Sequence, residues 1–189
     1  DDGGRLEPFS GGGLDPTSNS TSAGQAAGFV KFGVWCMEDK RAGISATIRL
    51  YKPEDLEACR TLWVELTEWH RHIYQSSGIG GPDPGRHFDA HLDRVGPENI
   101  WVAEVGGRVV GLAGLIPGEG EAELEPLVVS EPYRGLGIGR QLAEAVIAAA
   151  RAGRVHQLKV RPVARNAPAI RFFHELGFTI LGQVELFLD

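Results

Sequence analysis

Between residues 56 and 73 the apolar positions fall at Leu56, Cys59, Leu62, Trp63, Leu66, Trp69 and Ile73, the three-and-four spacing of one helix face. Pro53 suits the first turn of that helix, with Glu54 and Asp55 at its positive end. Upstream, Thr47-Ile48-Arg49-Leu50-Tyr51 alternates as a strand does. Downstream, Gln75 to Gly85 is rich in Gly, Ser and Pro and reads as a loop, and His87 to Val95 reads as a short second helix. Ile100 to Val105 and Arg108 to Ile116, joined by Gly106-Gly107, form a β-hairpin pattern, and Pro117 to Gly120 turns into the expected central strand. That strand, whose apolar part is Leu124 to Val129, is ended by Ser130 and Pro132. A helix follows over 138 to 152, on which Leu142, Val146 and Ile147 keep helical spacing among alanines. A strand at His156 to Val160, a closing helix and a final segment from Phe178 to Leu188, broken at Gly182-Gln183, complete the pattern.

The chemistry concentrates where the Leu-Val-Val strand gives way to Arg134-Gly135-Leu136-Gly137-Ile138-Gly139-Arg140. Glycines there let the backbone take conformations a Cβ forbids and let a ligand approach the main chain. The first amides of the following helix lack internal partners and sit at the positive end of its dipole, which suits phosphate oxygens. Arg134 and Arg140 add full charges. A dinucleotide fingerprint starting at Gly135 needs glycine where the chain has Arg140, and a P-loop needs Lys followed by Ser or Thr where it has Arg140-Gln141. What remains is R-x-x-G-x-G, Arg134 to Gly139.

This motif resembles the pyrophosphate-binding loop of the GNAT superfamily, the acetyl-CoA-dependent N-acetyltransferases. A second stretch, Asn166-Ala167-Pro168-Ala169-Ile170-Arg171-Phe172-Phe173-His174-Glu175-Leu176-Gly177-Phe178, is similar to the family's closing helix. The resemblance covers roughly residues 46 to 189. It implies an α/β fold, α+β in the sense of a mixed sheet: the GNAT-like acyl-CoA N-acyltransferase fold, a central mixed β-sheet flanked by helices. It also implies acetyl-CoA as cosubstrate, with no metal. Backbone groups of Leu127, Val128 and Val129 are then expected to meet the pantetheine arm, and Arg134, Gly135, Leu136, Gly137, Ile138, Gly139 and Arg140 the pyrophosphate. Asn166 is expected at the CoA arm, although it is also placed to cap the closing helix before Pro168. Phe173 holds a cofactor-side position at which the family often has a tyrosine acting as general acid. A phenyl ring has no proton to give, so Tyr133, His174 or water must substitute, or the domain binds acyl-CoA without transferring from it.

For the general base, Glu123 and Glu125 alternate with Leu124 and share one strand face unless a bulge intervenes. Either carboxylate, partly desolvated in a cleft, suits acceptance of an ammonium proton; Glu125 lies nearer the expected thioester and is the first choice. His87 and His91, four apart on a helix, have a metal-compatible spacing but no third ligand, so ordinary capping or surface roles are preferred. Arg151, Arg154, Lys159, Arg161, Arg165 and Arg171 make the C-terminal region basic, either near the CoA 3′-phosphate or as a solvated face.

Composition narrows the picture further. The 189 residues suit one folded domain, and 42% hydrophobic content supports a core. A formal charge of -6 argues against a non-specific nucleic-acid binder and is compatible with cationic acceptors. Glu65, Glu68, Asp83 and Glu125 are candidates to attract them. Two cysteines, Cys36 and Cys59, make no disulfide framework and suggest a reducing, cytoplasmic setting. No apolar run is long enough to span a bilayer, so no membrane association is expected. Residues 1 to 45, with Gly11-Gly12-Gly13 and the run Thr17 to Ser22, read as a flexible leader or tag-like segment before a domain over 46–189, and Met37 is a candidate natural start. The expected activity is direct acetyl transfer to a primary amine, either a small cationic amine such as an aminoglycoside or polyamine or an amine on a protein. The alternative is a non-catalytic acyl-CoA-binding or sensing module. Family resemblance also makes a homodimer possible.

Overall fold

The computed structural model describes residues 45–183. Residues 1–44 of the expected leader, the candidate start at Met37, Cys36 and the end of the final segment beyond residue 183 lie outside the described residues.

Five strands form one sheet in sequence order: β1 (Thr47–Leu50), β2 (Ile100–Val105), β3 (Arg108–Pro117), β4 (Glu121–Val129) and β5 (Gln157–Lys159). The first four pair antiparallel and β4 pairs β5 in parallel, so the sheet is mixed. Helices α1 (Leu56–Tyr74) and α2 (Arg86–Val95) follow β1, α3 (Ile138–Ala152) separates β4 from β5, and α4 (Ala167–Glu175) follows β5. The hairpin at Gly106-Gly107 forms as its sequence predicts, both glycines taking positive φ.

Strand alternation sends side chains to two cores. Ala103, Val110, Ala113, Leu115, Ala122 and Leu124 meet Ile138, Leu142, Ala143 and Val146 of α3 and Phe173 of α4. Tyr51, Ile100, Val102, Leu112 and Val128 meet Cys59 and Leu62 of α1 and Phe88 and Val95 of α2. Each fully buried Leu, Ile or Phe side chain contributes roughly 1.5–3 kcal/mol, so both faces are anchored.

Two details depart from expectation. Pro53–Asp55 is a 3-10 turn rather than the first turn of α1, because Asp55 turns inward: Arg49 donates to its carboxylate at 2.7 and 2.9 Å and the Lys52 amide at 2.8 Å. The motif strand β4 is fourth of five, not central, and touches β5 only through Glu121, Ala122 and Glu123. Beyond Glu123 its outer edge has no strand beside it among the described residues.

A bulge sits where that pairing ends. Ala113 pairs with Leu127 but Leu115 with Leu124, so Gly114 alone faces both Glu125 and Pro126. Pro126 has no amide for the ladder, and its peptide bond to Glu125 is cis. Gly114 is required there: an added Cβ would lie 2.5 Å from the Glu125 carbonyl oxygen.

Candidate active site

The gap between β4 and β5 begins at Glu123 and leads to the glycine loop. The Ser130 amide donates to Val110 at 2.9 Å, which makes that pair the hydrogen-bonded kind. Alternation then turns the amides and carbonyls of Leu127 and Val129 away from β3, into the gap, while Val128 bonds inward and buries its side chain. This is the edge an extended ligand needs. The Val129 carbonyl is already held by Arg134 Nε at 2.8 Å, so the groups of Leu127 and the amide of Val129 remain for a guest.

The strand ends in a 3-10 turn at Glu131–Tyr133 and runs into the loop. Gly135 and Gly137 take φ of +77° and +78°, and nothing lies within 4 Å of where a Cβ would stand on either. Space is open directly above the main chain, which is the concavity a phosphate cradle requires. Gly139 differs from the expectation for it: it is already helical, and a Cβ added to it would stand 3.7 Å from Phe172 and Val129, an ordinary packing distance, so neither a special backbone conformation nor a close approach requires glycine there. The first bond of α3 runs from the Gln141 amide to the Gly137 carbonyl, leaving the preceding amides of Ile138, Gly139 and Arg140 at the open end of the dipole. No acidic residue occupies that first turn. Ile138 is buried under the loop, Leu136 packs against the same core, and Arg140 stays half exposed beside Glu144 at 3.7 Å.

Helix α1 braces this loop, a role its sequence does not disclose. Glu65 accepts from Ser130 Oγ at 2.9 Å and from the Glu131 amide at 3.3 Å. One turn on, the Trp69 ring lies under the Arg134 guanidinium at 5.8 Å. At the end of α1, Tyr74 lies under Arg165, immediately before Asn166, at 5.3 Å. The helix therefore touches segments on both sides of the gap. The i, i+4 spacing of Glu65 and Trp69 announces a shared face, but not what that face touches.

Glu121 and Glu123 alternate with Ala122 and Leu124 and so share the face opposite α3, and Glu125, itself one of the two bulge residues, still comes within reach of the Arg161 that holds Glu123. Arg161, just beyond β5, donates through Nε to Glu123 at 2.6 Å and reaches Glu125 at 3.9 Å. Glu123 is buried, whereas the Glu125 side chain is 45% exposed. Burial, then the neighbouring Glu123 charge, pushes the Glu125 carboxyl above its ordinary range, while Arg161 and Arg94 pull the other way.

Several candidates have structural roles among the described residues. Asn166 caps α4, its Oδ1 accepting from the Ala169 amide at 3.2 Å. Phe173 is buried in the α3–α4 core, edge-on to Phe172 and Phe178. Of the acidic groups expected to draw cations, Glu65 is spent on the loop, Glu68 on Arg71 and Asp83 on Arg86, which leaves Glu125 in the gap. Lys159, Arg161 and Arg165 of the basic run are engaged with Glu121, the carboxylate pair and Tyr74. His87 meets the Gly80 carbonyl at 3.1 Å, and His91 is buried against Trp63. Among the described residues no group of three or more His, Cys, Asp or Glu side chains is arranged to hold a metal ion. Nor is any helix among them long and apolar enough to cross a membrane.

A separate hollow lies elsewhere. About 650 Å³ opens between the start of α1 and the rim of β1–β3, lined by Arg49, Asp55, Glu104 and Arg108. Arg49, Asp55 and Glu104 are already paired with one another, so most of its charge is internally satisfied.

A family model described as "Acetyltransferase (GNAT) family" matches residues 63–178. N-acetyltransferase 8 of Rattus norvegicus is 32% identical over 96 residues, 48% of this chain and 42% of its own length. N-acetyltransferase 8F1 of Mus musculus is 33% identical over 90 residues, 44% of this chain and 40% of its own. The match therefore spans less than half the length of these curated relatives. Among solved structures, the PaiA N-acetyltransferase from Thermoplasma acidophilum in complex with coenzyme A superposes with a TM-score of 0.63 at 19% identity, covering 75% of this chain and 94% of that one. Aminoglycoside N-acetyltransferase AAC(6')-Iy in complex with CoA gives 0.57 at 19% identity, covering 78% and 96%. At such identities the likeness speaks for the fold, while the family model spans the carboxylate strand, the glycine loop and the closing helix together: the chain belongs to the GNAT acetyltransferase family.

Proposed function

We propose that the chain is an N-acetyltransferase that moves an acetyl group from acetyl-CoA directly to a primary amine, on a small molecule or a protein. The observation that carries this is the gap between β4 and β5: it offers the outward backbone edge of Leu127 and Val129, ends at an open glycine cradle and passes Glu125.

The residues fit an acyl-CoA. Gly135 and Gly137 leave room over the main chain, and the amides of Ile138, Gly139 and Arg140 point their partial charge at an anion. Arg134 is fixed through Nε and by Trp69, and its terminal nitrogens make no hydrogen bond to the described residues, so they suit phosphate oxygens. Bound there, acetyl-CoA supplies an activated acetyl carbonyl. The amides of Leu127 and Val129 suit the oxygen of that carbonyl, where negative charge develops. Glu125 takes the proton the ammonium must lose, directly or through one water, and its raised pKa brings it nearer the working pH. Glu123, pinned by Arg161, steadies the strand on which Glu125 stands.

The rival, a module that binds acyl-CoA without turning it over, is favoured by one observation: Phe173 lies buried among Phe172 and Phe178 and offers no acid to a departing thiolate. Calorimetry with acetyl-CoA on the full chain, beside a Gly137→Glu variant, is the first test. Saturable binding lost in a folded variant supports the site; no binding to the parent chain overturns both readings. Amine-dependent release of CoA thiol then separates enzyme from module.

A further inference from the structure

The imidazole of His91 on α2, only 4% exposed, lies between Trp63 of α1, 5.2 Å from ring to ring, and the bulge shared by β3 and β4. Its two nitrogens differ in their partners. Nδ1 lies 3.2 Å from a terminal nitrogen of Arg94, and a guanidinium can only donate, so Nδ1 is the bare acceptor and Nε2 carries the proton. That Nε2 stands beside the bulge: a Cβ on Gly114 would lie 3.1 Å from it and 2.5 Å from the Glu125 carbonyl oxygen. No group among the described residues accepts from it. A buried donor without an acceptor is costly, and packing alone does not account for an imidazole here. The charged groups that act on Glu125 are Glu123 on its own strand, Arg161 beyond β5 and Arg94 on α2. Arg161 pairs with both carboxylates, whereas Arg94 makes no ion pair with either among the described residues; its guanidinium is on His91.

Resting on the transferase reading above, we propose that His91 is a positioning residue for Glu125: by accepting from Arg94 at Nδ1 it holds that cation off the carboxylate that takes the amine's proton. Arg94 is an exposed residue in the last turn of α2, and its charge already acts on Glu125. A swing of this long side chain, once released, brings the two into contact. A cation at contact favours the ionised carboxylate and lowers its pKa by about one to three units, which makes it a poorer base. The same cation would stand where an incoming ammonium has to come. The imidazole can hold Arg94 only while it is neutral. Burial, with Arg94 adding to it, keeps its pKa down to about 4, so the acceptor at Nδ1 persists where Glu125, pushed the other way by burial and by Glu123, gives up its proton.

The test is a pH titration of the Glu125 carboxyl carbon by NMR, on the full chain without acetyl-CoA or amine. It compares the parent with His91→Leu, His91→Asn, Arg94→Gln and the double variant His91→Leu, Arg94→Gln. His91→Leu should lower the proton affinity of Glu125 by about tenfold, the small end of what a contacting cation does. Arg94→Gln should raise it by less than about threefold, because in the parent this charge is held away. The double variant should stay near the Arg94→Gln value, and His91→Asn, whose amide oxygen can stand in for Nδ1, should keep the parent titration. A merely structural His91 would cost stability in both leucine variants and leave the Glu125 titration where it was. The proposal falls if His91→Leu leaves that titration unmoved, if the drop survives in the double variant, or if Arg94→Gln alone raises the proton affinity tenfold. The last arm changes only a surface side chain and so reads out even if the leucine variants fail to fold. With amine-dependent turnover in hand, the acidic limb of kcat/KM should move to lower pH in His91→Leu by the same factor. The expected titrations in a chain that binds no acetyl-CoA would instead sink the transferase reading and leave His91 as the residue that keeps Arg94 from Glu125.

Discussion

Glu125 and Glu123 are two residues apart on one strand, yet their surroundings divide their roles. Glu123 is buried and held by Arg161 at 2.6 Å, and the half-exposed Glu125 faces the gap with its pKa pushed up by burial and by that neighbour. Only the deprotonated form accepts a proton, so the acidic limb of kcat/KM should lie above the ordinary glutamate range of about 4.3. Glu125→Gln should abolish that limb and lower kcat by about 10²–10³-fold with acetyl-CoA affinity unchanged, as read from a pH–rate profile beside calorimetry. A variant that kept both the limb and the rate would transfer the role to another base. The spacing that puts both carboxylates within reach of one cation is legible in the chain, because it is local geometry. Their division of labour is not, because Arg161 lies 36 and 38 positions away from them.

The same contrast recurs at the scale of elements. Helix α1 announces its apolar face through Cys59 and Leu62, but its use as a brace depends on Glu65 and Trp69 meeting Ser130, Glu131 and Arg134 more than sixty positions on. Because the brace fixes Arg134 and the turn before the cradle, Trp69→Ala should weaken acetyl-CoA binding by roughly tenfold, the loss of an exposed cation–π contact and the loop order it supports. kcat at saturation should change less. Calorimetry gives the first quantity and steady-state kinetics the second; an unchanged affinity would show that the loop holds its shape without α1. Helix α4 behaves oppositely: Asn166 before Pro168 is readable as a cap from sequence and is one, since capping needs only neighbours three residues away.

At the scale of the whole molecule, His91 joins the α1–α2 layer to the sheet. It is buried beside Trp63, its Nδ1 lies 3.2 Å from Arg94, and its Nε2 has no hydrogen-bond partner among the described residues. Burial, with Arg94 adding to it, holds its pKa down to about 4. The unfolded chain takes up this proton near pH 6.5 and the folded chain only near 4, so stability should fall as pH drops through that window and level off below it. The contribution reaches about 3 kcal/mol, measurable by urea unfolding from pH 7 to 4; His91→Leu should flatten the dependence, and an unaltered slope would place the proton elsewhere. What the chain determined by itself was local: helix and strand periods, the Gly106-Gly107 turn, the Asn166 cap, and the strand–glycine–helix passage from Leu127 to Arg140, whose backbone requirements are written in the residues that adopt them. Tertiary structure alone decided the bulge at Glu125-Pro126, the parting of β4 from β5 after Glu123, and the pairing of Arg161 with both carboxylates. Those depend on register and on charges brought together from distant positions, and a single sequence encodes such encounters only through the fold that produces them.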